Sequence, residues 1–404
     1  MIYLISLLIF SGVIIVLVFV LLFVEAKVTT QGSHAITIND SKEDTLTVSG
    51  NPTLLSALSR NDIFLPSACG GSGSCAMCKC KVTDGGGAIL PTELAHLSRK
   101  EKLEGVRLSC QLKVKQDMAI QVPESIFGIK KVNAIVVSND NVSTFIKELV
   151  LEPEESIEFE AGSYIQIDVP EYELTFKDFH INSKYVSEWK KYNLFDLAAK
   201  GIKPGFRAYS MANPPHEKDI VKLNVRIATP PPGTESIPPG FGSSFIFGLK
   251  PGDKVKISGP YGDFMAKDTD KEMCFLGGGA GMAPLRSHIL HQLEGIDSRR
   301  KITFWYGARS VKEMFYHEEF LDLEKRFDNF TYHVALSAPE KEDNWNGLTG
   351  FVHIHLIDSY LKEHEDPTEI EYYLCGPPPM IDAVIDDLYE MGVEDDMIFY
   401  DKFS

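Results

Sequence analysis

The chain has 404 residues, 44% apolar and 24% charged, which is globular composition and excludes a mostly disordered chain. At roughly 100–200 residues per domain this length holds two to four domains. Fifty-seven acidic against 40 basic side chains give a net charge of −17, which argues against a nucleic-acid partner bound through clustered Lys and Arg.

Residues 2–24, IYLISLLIFSGVIIVLVFVLLFV, carry no charge. As a helix at 1.5 Å per residue they reach about 34 Å, enough for a hydrocarbon core of roughly 30 Å. A cleaved signal has a basic leader and a shorter apolar run, and this segment has neither, so a retained transmembrane anchor over 1–26 is expected. Glu25-Ala26-Lys27 follows the run, and the positive-inside rule then puts the bulk of the chain on the cytoplasmic side.

Of seven cysteines, five fall between Cys69 and Cys110. An odd, crowded set on the cytoplasmic side is not a disulfide framework. Cys69, Cys75, Cys78 and Cys110 are spaced C-x₅-C-x₂-C-x₃₁-C. A Cys₄ zinc site, the competing reading, usually shows two C-x₂-C pairs, and here there is one. The plant-type [2Fe–2S] spacing is C-x₄-C-x₂-C…C; the longer first gap here resembles the adrenodoxin-like ferredoxins. Gly70, Gly71 and Gly73 let the loop fold tightly around a centre. Upstream, ITINDSKEDTLTVSG predicts two short strands around a polar turn, and NPTLLSALSRND a short helix with Leu54, Leu55 and Leu58 on one face. Cys80, at an alternating position in the strand CKCKV, reads as a packed thiol.

From Val132 onward, VNAIVVS, KELVLEP, SYIQIDVP, KLNVRIAT and DKVKISGP are β-branched runs bounded by turn residues, as in a small antiparallel barrel. Between them lies Arg207-Ala-Tyr209-Ser210, offering a fixed cation for a pyrophosphate, a flat ring and a small donor. Gly240 to Ser244 open the apolar run FIFGL and predict a helix N-terminus, where anions bind. Together they point to a flavin site. Residues 172–204 form an aromatic and charged insertion before Arg207, whose Trp189, Tyr192, Leu194 and Phe195 pack on the barrel or on a partner.

MCFLGGGAGMAPLRSHILHQLEG predicts strand, glycine turn and helix, the context of a nucleotide pyrophosphate, with Pro284 replacing the third fingerprint glycine. KITFWYGARS, FTYHVALSA and EYYLCGPPPMIDAV add strands of an open parallel α/β sheet. Cys375 sits at a strand's C-terminal end and is a candidate for a nicotinamide pocket. About 20 residues past the glycines, where an acidic residue marks a ribose, stand Arg299, Arg300 and Lys301, with Arg309-Ser310 further on; this leaves NADPH as open as NADH.

In order, the cysteine motif, RAYS, PGFGSS, GPYGDF (Gly259 to Phe264), GGGAGMAP and CGPPPM resemble the ferredoxin–NADP⁺ reductase superfamily with an N-terminal ferredoxin domain. With the apolar N-terminus and the insertion, the whole chain resembles the family of F subunits of Na⁺-translocating NADH:quinone oxidoreductases. That resemblance implies a multidomain fold: a transmembrane anchor (1–26), an α+β β-grasp ferredoxin domain (34–126), an antiparallel β-barrel FAD domain (130–266) and an α/β parallel-sheet NADH domain (270–404). It implies [2Fe–2S] on Cys69, Cys75, Cys78 and Cys110, and FAD on Arg207, Tyr209, Ser210, Gly240, Ser243, Ser244 and Phe403. It places NADH at Gly278, Gly279, Gly281, Cys375 and Gly376, with Ser210 and Cys375 catalytic. The implied partners are other membrane subunits of a sodium-pumping complex, a quinone downstream, and the bacterial inner membrane. The alternatives are an anchored reductase of an oxygenase and a zinc-bearing scaffold.

Overall fold

The computed structural model describes residues 9–20, 32–231, 233–234 and 237–402. The chain divides into two compact units, Met1–Ile129 and Lys130–Ser404.

In the first unit, helical backbone runs through residues 9–20 (α1), with its apolar side chains exposed. Among the described residues no helix is long and apolar enough to cross a membrane. The rest of the expected span, 2–8 and 21–24, lies outside them. Next come β1 (Ser33–Ile38) and β2 (Ser41–Ser49), α2 (Leu54–Ser59), β3 (Lys79–Asp84), α3 (Arg99–Leu103), β4 (Val106–Leu108) and β5 (Met118–Gln121). Asn39 and Asp40, at φ 51 and 59, make the tight turn between β1 and β2. Thr53 caps α2 by accepting from the Ser56 N–H, and Leu54, Leu55, Ala57 and Leu58 are buried, as the leucine spacing predicts. The sheet order is β2-β1-β5-β3-β4, with β5 parallel to β1.

The second unit begins with β6 (Lys130–Asn141), β7 (Ile146–Pro153) and β8 (Tyr164–Val169). The insertion follows, with β9 (Tyr172–Thr175) and β10 (Ala198–Gly201) paired at its base around α4 (Val186–Lys191). Then come β11 (Gly205–Ser210), β12 (Val221–Arg226), α5 (Phe241–Gly248) and β13 (Lys254–Tyr261). The larger sheet is antiparallel, ordered β11-β8-β13-β6-β7-β12, and a Met211–Leu223 bridge joins its two ends. The insertion packs on this barrel. Trp189 is fully buried beside Phe176, Phe179 and Phe247, and its indole N–H donates to the Thr144 carbonyl at 2.7 Å. Leu194 is buried with it, whereas Tyr192 stays 42% exposed.

The same unit continues with β14 (Met273–Gly278), α6 (Met282–Leu290), β15 (Ile302–Ala308), α7 (His317–Arg326), β16 (Phe330–Leu336), β17 (Leu348–Thr349), α8 (Val352–Ser359), β18 (Glu371–Gly376), α9 (Pro378–Glu390) and β19 (Ile398–Lys402). All six strands are parallel, ordered β17-β16-β15-β14-β18-β19. Strands β14 and β18 are buried along their whole length, which is why they read as continuous apolar runs. The chain winds outward from β14 through β15 and β16, then returns to β18 and β19 on the other side. Strand order reverses between β14 and β18, so their C-terminal ends open a crevice suited to a ligand.

Candidate functional site

The four motif cysteines converge as two pairs. The Cys75 thiol donates to the Cys69 sulfur at 3.3 Å, and Cys78 faces Cys110. Strand register makes the second pair: β3 aligns Lys79 with Leu108, and the Ser109 N–H donates to the Cys78 carbonyl at 2.9 Å. Among the described residues no three His, Cys, Asp or Glu side chains are arranged to hold one metal ion. Two pairs are the donor set a binuclear cluster takes, two thiolates to each iron, whereas a zinc site draws four ligands onto one centre.

The loop between the pairs has φ 65, 88 and 88 at Gly70, Gly71 and Gly73, and 56 at Ala76. Donation from the Cys75 thiol, together with Ser72 and the backbone N–H groups of Cys75 and Ser74, lowers the Cys69 thiol to about 2. The shared proton and burial raise its partner Cys75. The Gln111 amide donates to the Cys110 sulfur at 3.4 Å. A Cβ on Gly73 would come within 2.5 Å of that same amide. Cys80 is buried, and burial lifts its thiol to about 12, consistent with a packed thiol.

In the second unit, Arg207, Tyr209 and Ser210 lie on β11, with Arg207 and Tyr209 against the first turn of α5. The Arg207 guanidinium stacks over Phe241 at 5.2 Å. A Cβ on Gly242 would come within 2.5 Å of the Arg207 side chain and 2.9 Å of the Tyr209 hydroxyl, so glycine lets the helix approach the strand. The insertion reaches this corner too: the Tyr172 hydroxyl donates to the Phe241 carbonyl at 2.6 Å. The two serines differ. The Ser243 hydroxyl accepts from the Ala228 N–H at 3.1 Å and so braces the turn. The Ser244 hydroxyl is buried beside Tyr172 without a hydrogen bond of regular geometry. First-turn N–H groups of a helix lack intrahelical acceptors. With Arg207 and the Ser244 hydroxyl, those of α5 form a donor set that fits a pyrophosphate.

At the crevice, the predicted glycines do different things. A Cβ on Gly281 would overlap the Cys375 carbonyl, and one on Gly278 would come within 3.2 Å of the Met380 sulfur. These two, with Gly376, allow the turn after β14 to pack on the end of β18. Gly279, at φ +57, faces open space. Of the three turn glycines it is therefore the one placed for close approach of a phosphate.

Strand β18 aligns Cys375 with Asp401 of β19, and the Ser210 hydroxyl donates to the Asp401 carboxylate at 3.4 Å. Flavin strand and crevice thus meet through Asp401, a residue the motifs do not point to. Burial raises its carboxyl, opposed by Ser210. Cys375 is fully buried, and burial with the nearby Asp401 pushes its thiol well up, so it is a neutral thiol here. Phe403, expected over the flavin, lies outside the described residues.

The basic run Arg299–Lys301 is not at the crevice. It precedes β15, at the N-terminal ends of the strands. There Arg300 is 8% exposed and donates to Glu371 at 2.5 Å, Arg299 pairs with Asp297, and Lys301 with Glu272. Counting residues from the glycines puts these side chains at a ribose, but α6 and the loop after it carry the chain to the N-terminal ends of the strands, and β15 returns to the crevice only after the basic run. Arg309, exposed, follows the C-terminal end of β15.

Fold and site define an oxidoreductase with a ferredoxin domain followed by flavin- and nicotinamide-binding domains. Residues 36–115 match the 2Fe-2S iron-sulfur cluster binding domain, 193–265 the oxidoreductase FAD-binding domain and 275–386 the oxidoreductase NAD-binding domain. Among solved structures, the chain is similar to the Amycolatopsis cytochrome P450 reductase GcoB (TM-score 0.63, 24% identity, covering 92% of this chain and 98% of that one). It is also similar to the ferredoxin reductase in carbazole 1,9a-dioxygenase (TM-score 0.62, 23% identity, 92% and 99%). These likenesses concern the fold alone. The chain is 55% identical to the F subunit of the Na⁺-translocating NADH-quinone reductase of Neisseria meningitidis, over 98% of both chains. It is 52% identical to that of Marinomonas sp., over 98% of this chain and 97% of that one. The chain belongs to the family of F subunits of Na⁺-translocating NADH-quinone reductases.

Proposed function

We propose that the chain is the NADH-oxidising, electron-input subunit of a Na⁺-translocating NADH:quinone reductase. The observation that carries this reading is the meeting of Ser210, Asp401 and Cys375, which joins the flavin strand to the nicotinamide crevice. The bound cofactors supply the conversion of a two-electron hydride into the single electrons that a [2Fe–2S] centre takes.

The chain's own residues bind and orient. Arg207 and the first turn of α5, from Gly240 through Ser243 and Ser244, hold the FAD pyrophosphate, and Tyr209 offers its ring. Gly279 admits the NADH phosphates, while Gly278, Gly281 and Gly376 let the loops close on each other. Ser210 and Cys375 flank the site of transfer, and Phe403 would be a further FAD residue. Cys69, Cys75, Cys78 and Cys110 would together hold the [2Fe–2S] centre.

Residues 1–26 anchor the chain in the inner membrane with domains 34–126, 130–266 and 270–404 on the cytoplasmic side. With the cluster bound, the chain would pass single electrons to partner membrane subunits and so to a quinone. A single apolar helix offers sodium no polar path, so ion movement belongs to those partners. The oxygenase-reductase alternative draws only on fold likeness.

The test is an absorption spectrum of the purified protein before and after NADH. Flavin and iron–sulfur bands that bleach together are the expected result. A spectrum without the broad iron–sulfur absorption, or one unchanged by NADH, refutes the reading.

A further inference from the structure

Helix α6 carries the glycine turn of the NADH crevice at its N-terminus, and two of its side chains reach the barrel. The Arg286 guanidinium donates to the Ala212 carbonyl at 2.7 Å, and the Ser287 hydroxyl to the Asn213 carbonyl at 2.8 Å. Ala212 and Asn213 lie two and three residues beyond Ser210 on the flavin strand's exit. Both α6 side chains are buried, Arg286 at 4% and Ser287 at 0% exposure. The strand that presents Ser210 and the helix that presents Gly279–Gly281 are therefore fixed to each other by charge-assisted and neutral hydrogen bonds.

Arg286 is itself held on two sides. Glu319, in α7, accepts from its Nε and Nη2 at 2.6 and 2.5 Å, a bidentate pair. The ring of Tyr316 lies 4.7 Å under its guanidinium. Tyr316 has φ 57, the left-handed region that a bulky side chain rarely adopts. Its hydroxyl donates to Glu148 of β7 and accepts from the Asn224 amide of β12 at 2.8 Å, so the ring also spans from α/β layer to barrel. Strain of this kind persists only where surrounding contacts over-determine it. Simple burial of a tyrosine does not need that backbone conformation. Here the conformation aims one ring at Arg286 and two barrel strands at once.

We infer that Arg286, Ser287, Tyr316 and Glu319 are positioning residues that set the distance between the flavin strand and the NADH turn, and hence the rate of hydride transfer. This rests on the NADH-to-FAD reading above. None of the four belongs to the residues assigned to cofactor or dinucleotide. They act through the backbone of residues 211–213 and through α6, and a displacement near 1 Å at reacting atoms is worth up to about a hundredfold in rate.

The experiment is stopped-flow reduction of the FAD-loaded full chain by NADH and by its deuterated form, in wild type, Ser287→Ala and Tyr316→Phe, with Arg286→Lys as the conservative variant. Expected are flavin content and NADH dissociation constant within twofold of wild type. The limiting reduction rate should fall about tenfold in Ser287→Ala and Tyr316→Phe with a fully expressed deuterium isotope effect. Arg286→Lys, which keeps the charge and one donor, should lie between them and wild type. Variants that keep FAD and are reduced at the wild-type rate overturn the inference. So does a rate loss accompanied by an equal loss of FAD or NADH binding, which is the mark of a purely structural role. A wild-type flavin that NADH does not reduce overturns the functional reading instead, and is separable because it appears before any variant is compared.

Discussion

Replacing Arg107 by Met tests how the cluster-bearing unit is held together. Glu93 has no exposed side-chain surface and Arg107 only 4%. The carboxylate accepts from Arg107 Nε and Nη2 at 3.0 and 2.7 Å and from the Leu90 and Leu108 N–H groups at 2.8 and 2.9 Å. The guanidinium also donates to the Gly86, Gly87 and Ala88 carbonyls, so the pair ties the 85–97 loop to β4, just before Cys110. Met fills the volume but leaves a buried carboxylate without its cation, a loss of about 3–5 kcal/mol. At 1.4 kcal/mol per decade this is roughly a hundredfold to a few thousandfold in the folded-to-unfolded ratio. The pH dependence has a definite sign. Burial alone would raise the Glu93 carboxyl, but Arg107 and the two N–H groups hold it below its ordinary value. Its contribution is therefore complete above about pH 4.3 and lost as pH falls through the lower folded value. The assay is urea unfolding of the full chain followed at the iron–sulfur visible absorption, which reports the first unit. The double variant Glu93→Leu/Arg107→Met should lose less than the two single variants together, because no charge is stranded. A single-variant loss below about 1 kcal/mol, or strict additivity, refutes this account.

Cys75→Ala should lose the cluster absorption while NADH still bleaches the flavin; retained iron–sulfur bands would contradict the ligand assignment. Trp189→Ala, which empties a fully buried site, should destabilise the second unit by about 3–5 kcal/mol, read as a lower midpoint of flavin release on heating. An unchanged midpoint would mean that the insertion does not support the barrel. Gly281→Ala should strongly destabilise the second unit and abolish NADH oxidation because its Cβ overlaps the Cys375 carbonyl, whereas Gly279→Ala meets no protein atom within 4 Å and should cost only about 1 kcal/mol of stability through backbone strain, its methyl acting instead on NADH affinity. Equal stability losses in the two would refute that distinction. His288 is fully buried, its Nε2–H donates to the Phe264 carbonyl at 2.8 Å, and burial lowers it to about 4. The unfolded chain then binds the extra proton between about pH 6.5 and 4, so stability falls across that window by roughly 3 kcal/mol as pH drops. His288→Gln should flatten that limb of the stability curve, and an unaltered slope would remove His288 as its source.

Local sequence carried the elements whose signals are short-range. Cysteine spacing, the Asn39-Asp40 turn, the leucines of α2 and the glycine turn before α6 are set by residues within a few positions of one another, and each is legible for that reason. The buried strands β14 and β18 were equally plain, since both faces are covered and no alternation is needed. The Arg299–Lys301 run shows the limit: distance along the chain was right for a ribose contact, but the side chains lie at the opposite end of the strands.

The sequence by itself determined the cofactor classes, because ligand chemistry depends on residue types at fixed local spacings. Tertiary structure alone decided how those sites are joined. Ser210 meets Asp401 across 191 positions, and Arg286 meets Ala212 across 74. Cys78 and Cys110 pair across 32 positions because β3 and β4 run in register. The glycines divide between packing and open space according to what stands opposite them. Such pairings arise from strand order and layer packing, which bring distant residues within hydrogen-bond reach and leave no periodic trace in the chain.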